Sequence, residues 1–197
     1  NEIVFPAAIL QPPFFDPQAD APLNYGAIGS VIGHEMTHGY DDQGARFGPT
    51  GNFEDWWTAA DKKKFEALTG KLIAQYNRYE VSPGVKVNGR LTLGENIADL
   101  GGINISYDAM QKATAGQPDT KIDELSRDQR FFVGWAIAWR GQFTPELAKV
   151  LVASDPHSPD RFRANGGATN MPPFATAFDC KAGDAMVNSG DKLISIW

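Results

Sequence analysis

The five residues from His34 to His38, which read His-Glu-Met-Thr-His, restrict the possible folds more sharply than any other part of the chain. Two imidazoles four residues apart project from the same face of an α-helix, so both rings can reach one metal ion. Glu35 then lies beside the open coordination position, where a carboxylate can act on a bound water. This spacing is typical of a zinc-peptidase site, and it predicts a helix here.

The residues around this motif favour a buried helix over a chance match on the surface. Gly26 to Gly33 read GAIGSVIG, and Gly39 and Tyr40 follow the second histidine, so the run is mostly uncharged. A solvated helix would carry more charged side chains. We therefore predict a first metal-binding helix over residues 26–40.

Length and charge favour one soluble domain. The chain has 197 residues, of which 42% are hydrophobic, enough for one sizeable core and short for two domains. Its net charge is −6, and its 18 Lys and Arg residues are scattered except for Lys62–Lys64, which argues against nucleic-acid binding. No apolar run is long enough to cross a bilayer. The chain starts at Asn1 rather than at Met, from which we expect a fragment or a processed protein.

Local patterns predict a mainly α-helical α+β domain with small β elements. Helices are expected over residues 26–40, 55–80, 92–114 and 144–154, and from Ser126 through the apolar run FFVGWAIAW. The β elements expected are an edge or irregular strand from Ile3 to Leu10, a hairpin at Val85–Val87 before the turn Asn88–Gly89, and a strand from Leu193 to Trp197. The other C-terminal residues, which are rich in Pro, Gly and Asn, are expected to be mostly loop with short helical turns.

The third zinc ligand stays open when only the residues are considered. A third histidine six residues after the second is excluded, because that position is a glycine. Asp41 and Asp42 lie just past the helix, but ligands so close in sequence rarely complete a tetrahedron. Glu95 is a better candidate, with Asp99 one turn later to hold a ligand imidazole. Thr92 and Glu95 also fit a capping box, which would turn Glu95 to a helix-end amide, and without further information this reading is preferred.

Two long motifs carry a resemblance to a known family. Val31–His38 reads VIGHEMTH and Gly94–Gly102 reads GENIADLGG, and in this order they resemble the neprilysin and endothelin-converting-enzyme family of zinc metalloendopeptidases. The similarity runs from VFPAAILQPPFFD near the start, through LNYGAIG, to Trp197. It implies a thermolysin-like (gluzincin) catalytic domain over residues 1–197 that binds one zinc ion.

The resemblance also implies a role for each site residue. His34, His38 and Glu95 would be the zinc ligands, Glu35 the catalytic carboxylate and Asp99 the partner of a ligand imidazole. In the segment SDPHSP, His157 would stabilise the transition state, and Arg163 would bind the substrate backbone.

The family acts on oligopeptides and favours a bulky hydrophobic residue just after the scissile bond. The apolar residues near the motifs that could form such a pocket are Phe14, Phe15, Val31 and Trp139, and each of them also suits an ordinary core position.

Family members are longer and carry an upstream helical domain together with an Asn-Ala-aromatic motif that holds the substrate. We therefore expect contact with such an N-terminal part, and a zinc-binding half that is inactive by itself is the alternative. Arg140 and Ile194 stand where mammalian members have cysteines, and Cys180 matches one whose partner lies upstream. Few disulfides in this family fit an extracytoplasmic bacterial enzyme, either periplasmic, in the cell envelope or secreted.

Overall fold

The helix that carries the two motif histidines packs along the helix that carries Glu95 in a computed structural model, which describes residues 2–196. The α-helices are α1 Ala21–Asn24, α2 Ser30–Thr37, α3 Ala59–Tyr76, α4 Leu93–Ala113, α5 Arg127–Ala138, α6 Pro145–Ser154, α7 Asp160–Ala168 and α8 Pro172–Ala177. Two short antiparallel strands, β1 Glu80–Ser82 and β2 Val85–Lys86, form a hairpin. The prediction of a mainly helical fold with small β elements is confirmed.

The first metal-binding helix is longer than predicted. It is continuous from α1 through a π-helical turn, Tyr25–Gly29, and α2 to a 3-10 turn, His38–Tyr40. Two glycines allow it to approach α4 closely. A Cβ added to Gly33 would lie 2.8 Å from the carbonyl oxygen of Gly102, and one added to Gly102 would lie 2.5 Å from the backbone nitrogen of His34. Any larger residue at these positions would push the two helices apart.

Helix α4 is the centre of the molecule, because it contributes to both hydrophobic cores. Its Ile97 and Leu100 join the first core, and its Ile103 and Met110 join the second. The other buried members of the first core are Leu72, Tyr76, Val87, Leu93, Phe162, Ile194 and Ile196. The other buried members of the second are Phe131, Phe132, Trp135 and Met171. Full burial of each large apolar side chain contributes about 1.5–3 kcal/mol, so α4 is held firmly in place.

The N-caps of two helices follow local sequence signals, and a third does not. Ser126 and Gln129 form a capping box at the start of α5, and the hydroxyl of Thr144 accepts a hydrogen bond from the backbone N–H of Leu147 in α6. At α4 the capping-box reading is wrong: Thr92 makes no cap hydrogen bond, and its hydroxyl oxygen accepts one from the Asn96 side chain. The carboxylate of Glu95 points to the histidines instead.

Two predicted strands do not form. Ile3–Leu10 contains a 3-10 turn, Ala7–Ile9, which begins after Pro6, and Leu193–Ile196 is irregular, while Trp197 lies outside the described residues. A strand requires a partner, and within residues 2–196 the only ladder is the β1–β2 hairpin, apart from two isolated bridges. Pro6 also lacks the N–H that such a partner would need.

The hairpin exists, but its turn is at Pro83–Gly84 rather than at Asn88–Gly89. Gly84 has φ of +76°, which glycine adopts without strain. Asn88 has another function, since its side-chain oxygen accepts hydrogen bonds from the backbone N–H groups of Arg90 and Leu91 just before α4. The C-terminal part is more helical than predicted, because it contains α7 and α8. Among the described residues, none of the helices combines the length and the apolar character that crossing a bilayer requires.

Candidate active site

The three predicted zinc ligands lie together between α2 and α4. The Nε2 atoms of His34 and His38 are 3.0 Å apart. The carboxylate of Glu95 approaches both, with Oε2 3.2 Å from His34 Nε2 and Oε1 3.6 Å from His38 Nε2. One ligand atom from each residue lies within 4.8 Å of the others, and the two ring planes are 89° apart. Three donors from two helices therefore face one point.

The hydrogen bonds of the two rings make this point suitable for a cation. His34 Nδ1 lies 2.8 Å from Asp99 Oδ1, and His38 Nδ1 lies 2.7 Å from Asp41 Oδ2. A carboxylate only accepts, so each Nδ1 carries a hydrogen, and each ring presents a lone pair at Nε2 when that nitrogen is deprotonated. Glu95 Oε2, which is buried, has no hydrogen-bond partner within residues 2–196. Without a cation the lone pairs of the two imidazole nitrogens and of the carboxylate would repel one another. Two imidazoles and a carboxylate are also a common set of zinc ligands.

In the metal-free site the carboxylates around the two histidines favour protonation of the rings. Burial disfavours a charged ring at His34, but the hydrogen bond to Asp99 and the carboxylate of Glu95 outweigh it and raise the pKa of His34 to about 9. The hydrogen bond to Asp41 raises the pKa of His38 against the effect of burial. Burial works to raise the pKa of Glu95, but contact with His34 and the charges of the surrounding histidines lower it. Protons and a metal cation therefore compete for the same nitrogens.

Asp99 is the most completely buried charged group of the site. It is 0% exposed, and it binds His34 through Oδ1 and the Arg163 guanidinium through both oxygens, at 2.7 and 2.8 Å. Burial alone would raise the pKa of Asp99, but the charge of Arg163 and the hydrogen bonds from His34 and Arg163 hold that pKa well below its usual range. Removing one partner of such a buried pair typically costs about 3–5 kcal/mol, so Arg163 also stabilises the fold.

Arg163 is fixed by stacking as well as by hydrogen bonds. Its guanidinium carbon lies 3.8 Å from the centre of the Trp139 ring, a cation–π contact. The contacts with Asp99 use Nε and Nη2, so Nη1 is left for another acceptor. Of the four apolar pocket candidates, Trp139 is thus in contact with a site residue. Phe14, Phe15 and Val31 are half-buried, and their part in a pocket stays a prediction.

His157 reaches the cluster from the loop between α6 and α7. Its Nε2 lies 3.3 Å from Glu95 Oε2, and its side chain is 47% exposed. Asp155 orients the ring, because Asp155 Oδ1 accepts hydrogen bonds from both the backbone N–H and the Nδ1 of His157. The backbone hydrogen bond from His157, more than any other contact, lowers the pKa of Asp155.

Glu35 lies on the solvent side of α2, at the edge of an open cleft. It is exposed, and the cleft has a volume of about 770 Å³. His38 also lines this cleft, together with the aromatic residues Tyr40, Phe47 and Trp56. A peptide in the cleft would therefore meet a carboxylate and a ligand histidine at the same place.

Sequence reasoning missed two positioning carboxylates, Asp41 and Asp155. Asp41 was considered only as a zinc ligand, but one of its oxygens holds His38 and the other accepts the backbone N–H groups of Gln43 and Gly44. The available signal was spacing, since an acidic residue stands three positions after His38 and another stands two before His157.

The chain is similar to several known peptidases. A family model described as peptidase family M13 matches residues 1–194. Neprilysin-1 of Caenorhabditis elegans is 46% identical over 192 residues, which cover 94% of this chain and 26% of that protein. Endothelin-converting enzyme 1 of Homo sapiens is 43% identical over 189 residues, which cover 94% of this chain and 24% of that protein.

Solved structures show the same fold. The zinc metalloprotease ZMP1 of Mycobacterium tuberculosis, in complex with an inhibitor, matches with a TM-score of 0.96 and 50% identity, over 100% of this chain and 31% of that one. PEPO from Lactobacillus rhamnosis matches with a TM-score of 0.87 and 37% identity, over 98% of this chain and 29% of that one. The chain thus spans about a quarter of the length of the curated relatives it matches.

Proposed function

Because this chain belongs to peptidase family M13, the family of neprilysin and endothelin-converting enzyme, we propose that it is the catalytic part of a zinc metalloendopeptidase that hydrolyses oligopeptides. The observation that carries this proposal is the convergence of His34, His38 and Glu95, with ligand atoms within 4.8 Å of one another beside an open cleft. Residues 1–197 would then form one catalytic domain.

In this proposal His34, His38 and Glu95 hold a single zinc ion. When bound, zinc polarises a peptide carbonyl and lowers the pKa of a bound water to about 7. Asp99 and Asp41 accept the Nδ1 hydrogens of the two imidazoles, which fixes the orientation of each ring and leaves its Nε2 for the metal.

Glu35 moves the proton. Its exposed carboxylate accepts a proton from the attacking water and then delivers it to the nitrogen of the departing amine. The position of Glu35, one residue after His34, turns it away from the ligand direction and toward the cleft.

His157 and Arg163 bind the substrate where charge develops. Asp155 holds the Nδ1 side of the His157 ring, so that its Nε2 faces the site and can donate a hydrogen bond to the oxyanion of the tetrahedral intermediate. Asp99 fixes two nitrogens of Arg163, so the guanidinium offers Nη1 to a backbone carbonyl of the peptide. Removing one oxyanion donor typically costs about a hundredfold to a thousandfold in rate.

The finer properties follow from the resemblance. We propose cleavage on the amino side of bulky hydrophobic residues, with Val31 and Trp139 as candidate walls of the pocket that accepts them. We also propose an extracytoplasmic location, in the periplasm, in the cell envelope or outside the cell.

The second candidate is a zinc-binding half that needs the rest of a longer protein for activity. It is favoured because the chain matches only a small part of its relatives, for example 26% of the length of neprilysin-1. In this case the chain contacts an N-terminal part that helps to hold the peptide.

Metal analysis combined with a cleavage assay distinguishes the two candidates. We expect one zinc per chain and hydrolysis of a short internally quenched hydrophobic peptide, while Glu35→Gln keeps the zinc and loses turnover. Bound zinc with cleavage only after the N-terminal part of a longer homologue is added would favour the second candidate. Equal cleavage by Glu35→Gln would contradict the proposed mechanism.

A further inference from the structure

Asn96 and Ser158 each follow a site residue in the sequence, and they bind each other in the interior. The hydroxyl of Ser158 donates to Asn96 Oδ1 at 2.8 Å, and the two residues are 2% and 1% exposed. Asn96 follows Glu95 in α4, and Ser158 follows His157 in the loop before α7. Burial of polar groups is unfavourable unless they are paired, so this contact is strongly determined. It joins the two backbone segments that carry Glu95 and His157.

The orientation of the Asn96 amide is fixed from its other side. Asn96 Nδ2 donates to the hydroxyl oxygen of Thr92 at 2.8 Å, and the Thr92 hydroxyl donates its single hydrogen to the carbonyl of Asn88. Each group therefore donates in one direction only, from Ser158 through Asn96 and Thr92 to a backbone carbonyl. The Asn96 amide cannot rotate its Oδ1 away from Ser158 without also breaking its own hydrogen bond to Thr92.

The segment from Asp155 to Arg163 is tied to α4 at two points, Ser158 on Asn96 and Arg163 on Asp99. His157 stands directly before the first of these ties. Its hydrogen bonds to Asp155 lie within the same loop, so they orient the ring but do not fix the loop to α4. The ring is half-exposed, and its contact with α4 is the 3.3 Å approach of Nε2 to Oε2 of Glu95, the carboxylate that the proposed function gives to the metal. Its distance from the zinc ligands thus depends on Ser158.

We propose that Asn96 and Ser158 are positioning residues, whose hydrogen bond sets the distance between the imidazole of His157 and the metal cluster. The proposal rests on the role of His157 in the proposed function. A displacement of about 1 Å can cost about a hundredfold in rate, so the effect should fall on kcat rather than on KM.

The test is a double-mutant cycle on the zinc-loaded protein with a short internally quenched peptide. Ser158→Ala is expected to lower kcat by about 10- to 100-fold, with KM changed by less than about threefold and zinc content unchanged. In a His157→Ala background the same substitution should cause no further loss, because its effect passes through the ring. The matched control is Ser106→Ala, which removes a buried serine hydroxyl in α4 that donates to the carbonyl of Tyr25, and it should leave kcat unchanged.

A second measurement does not depend on activity. With Co²⁺ in place of zinc, the paramagnetic shifts of the His157 ring protons report the distance of the ring from the metal. Ser158→Ala should reduce these shifts, and Ser106→Ala should not. If Ser158→Ala does not fold, Thr92→Val removes the next bond of the series and should give a smaller reduction of the same kind.

Equal losses of kcat in the two backgrounds, or unchanged His157 shifts in the cobalt protein, would overturn the inference. Failure of the proposed function looks different. In that case the unsubstituted protein cleaves no peptide, or His157→Ala cleaves it at the full rate, and the cobalt shifts alone decide whether Ser158 holds the ring.

Discussion

Each of the three histidines of this chain makes a hydrogen bond from its Nδ1 to a different aspartate. The pairs are His34 with Asp99, His38 with Asp41 and His157 with Asp155, at 2.8, 2.7 and 2.7 Å. The three Nε2 atoms all lie near the carboxylate of Glu95, at 3.2, 3.6 and 3.3 Å from its oxygens. The aspartates thus fix which nitrogen of each ring faces the common point.

Asp41→Asn is expected to weaken zinc binding about 10- to 100-fold, because an amide holds the His38 ring less strongly than a carboxylate does. The measurement is a zinc titration against a chelator of known affinity. Asp42→Asn is the matched control, since Asp42 binds the side chain of Gln43 rather than a ligand histidine. Equal zinc affinities for the two variants would show that Asp41 does not support the metal.

Zinc binding should release protons at neutral pH. The pKa of His34 is raised to about 9 in the metal-free site, so at pH 7 the ring is protonated and zinc must displace that proton. Zinc affinity should therefore fall as the pH drops from about 9 to 6, and the release from His34 should vanish above its raised pKa.

Calorimetric titration in buffers of different ionisation enthalpy measures the number of protons released. The control is the same titration at pH 10, where His34 is already neutral. The absence of proton release at pH 7 would contradict the proposed environment of His34.

Among the elements, the pair α2 and α4 matters most, because each contributes part of the proposed metal site. The two helices are close because Gly33 and Gly102 lack a Cβ where the backbones meet. The distance between His34 and Glu95 is therefore set by helix packing and not by the sequence next to either residue.

Gly102→Ala should lower both the stability and the zinc affinity, because its Cβ would lie 2.5 Å from the backbone nitrogen of His34 and from the backbone oxygen of Ser30. Thermal unfolding and chelator competition measure the two effects. Gly70→Ala in α3 is the control, since a Cβ there meets nothing within 4 Å, and it should stabilise the helix by about 0.5–1 kcal/mol. Unchanged zinc affinity in Gly102→Ala would mean that the site tolerates separation of the helices.

Local signals predict those elements whose stability is local. The caps at Ser126 and Thr144 and the histidine spacing of α2 act within one or two helical turns. The helices α5 and α6 begin where their caps predict, and the histidine motif is helical as predicted. The segments Ile3–Leu10 and Leu193–Ile196 look like strands, but a strand forms only with a partner, which the pattern of a single segment does not reveal.

Helix α7 illustrates the opposite case. Its sequence includes Asn165, Gly166 and Gly167, which disfavour a helix, so the sequence predicts no more than short helical turns in this region. The hydroxyl of the buried Tyr76 would lie 2.4 Å from a Cβ at Gly166, so the glycine is needed for close packing against α3. Tertiary contacts stabilise this helix, and propensity could not predict it.

The candidate site also contains residues that a local motif predicts and residues that only tertiary packing brings in. His34, Glu35 and His38 follow from one helical motif, whereas Glu95 stayed open between ligand and cap until the resemblance was considered. Only the packing of α4 on α2 brings its carboxylate to the histidines. His157 and Arg163 lie far along the chain, so the residues alone gave no reason to connect them with the motif.

For the molecule as a whole, the ligands and their aspartate partners lie within residues 34–99 of a chain that matches 26% of neprilysin-1. Zinc binding should therefore be a property of this chain, whatever a longer protein adds for peptide binding. A second, mostly apolar cavity of about 410 Å³ is lined by Met36, Leu100 and Ile105 among others, and none of the three proposed ligands lines it.

The decisive measurement is the anomalous scattering at the zinc edge from crystals of the zinc-loaded chain. We expect one peak per chain, about 2.0–2.2 Å from the Nε2 atoms of His34 and His38 and from a carboxylate oxygen of Glu95. A peak coordinated by Asp41 in place of Glu95, or bound zinc away from these three residues, would contradict the proposed metal centre.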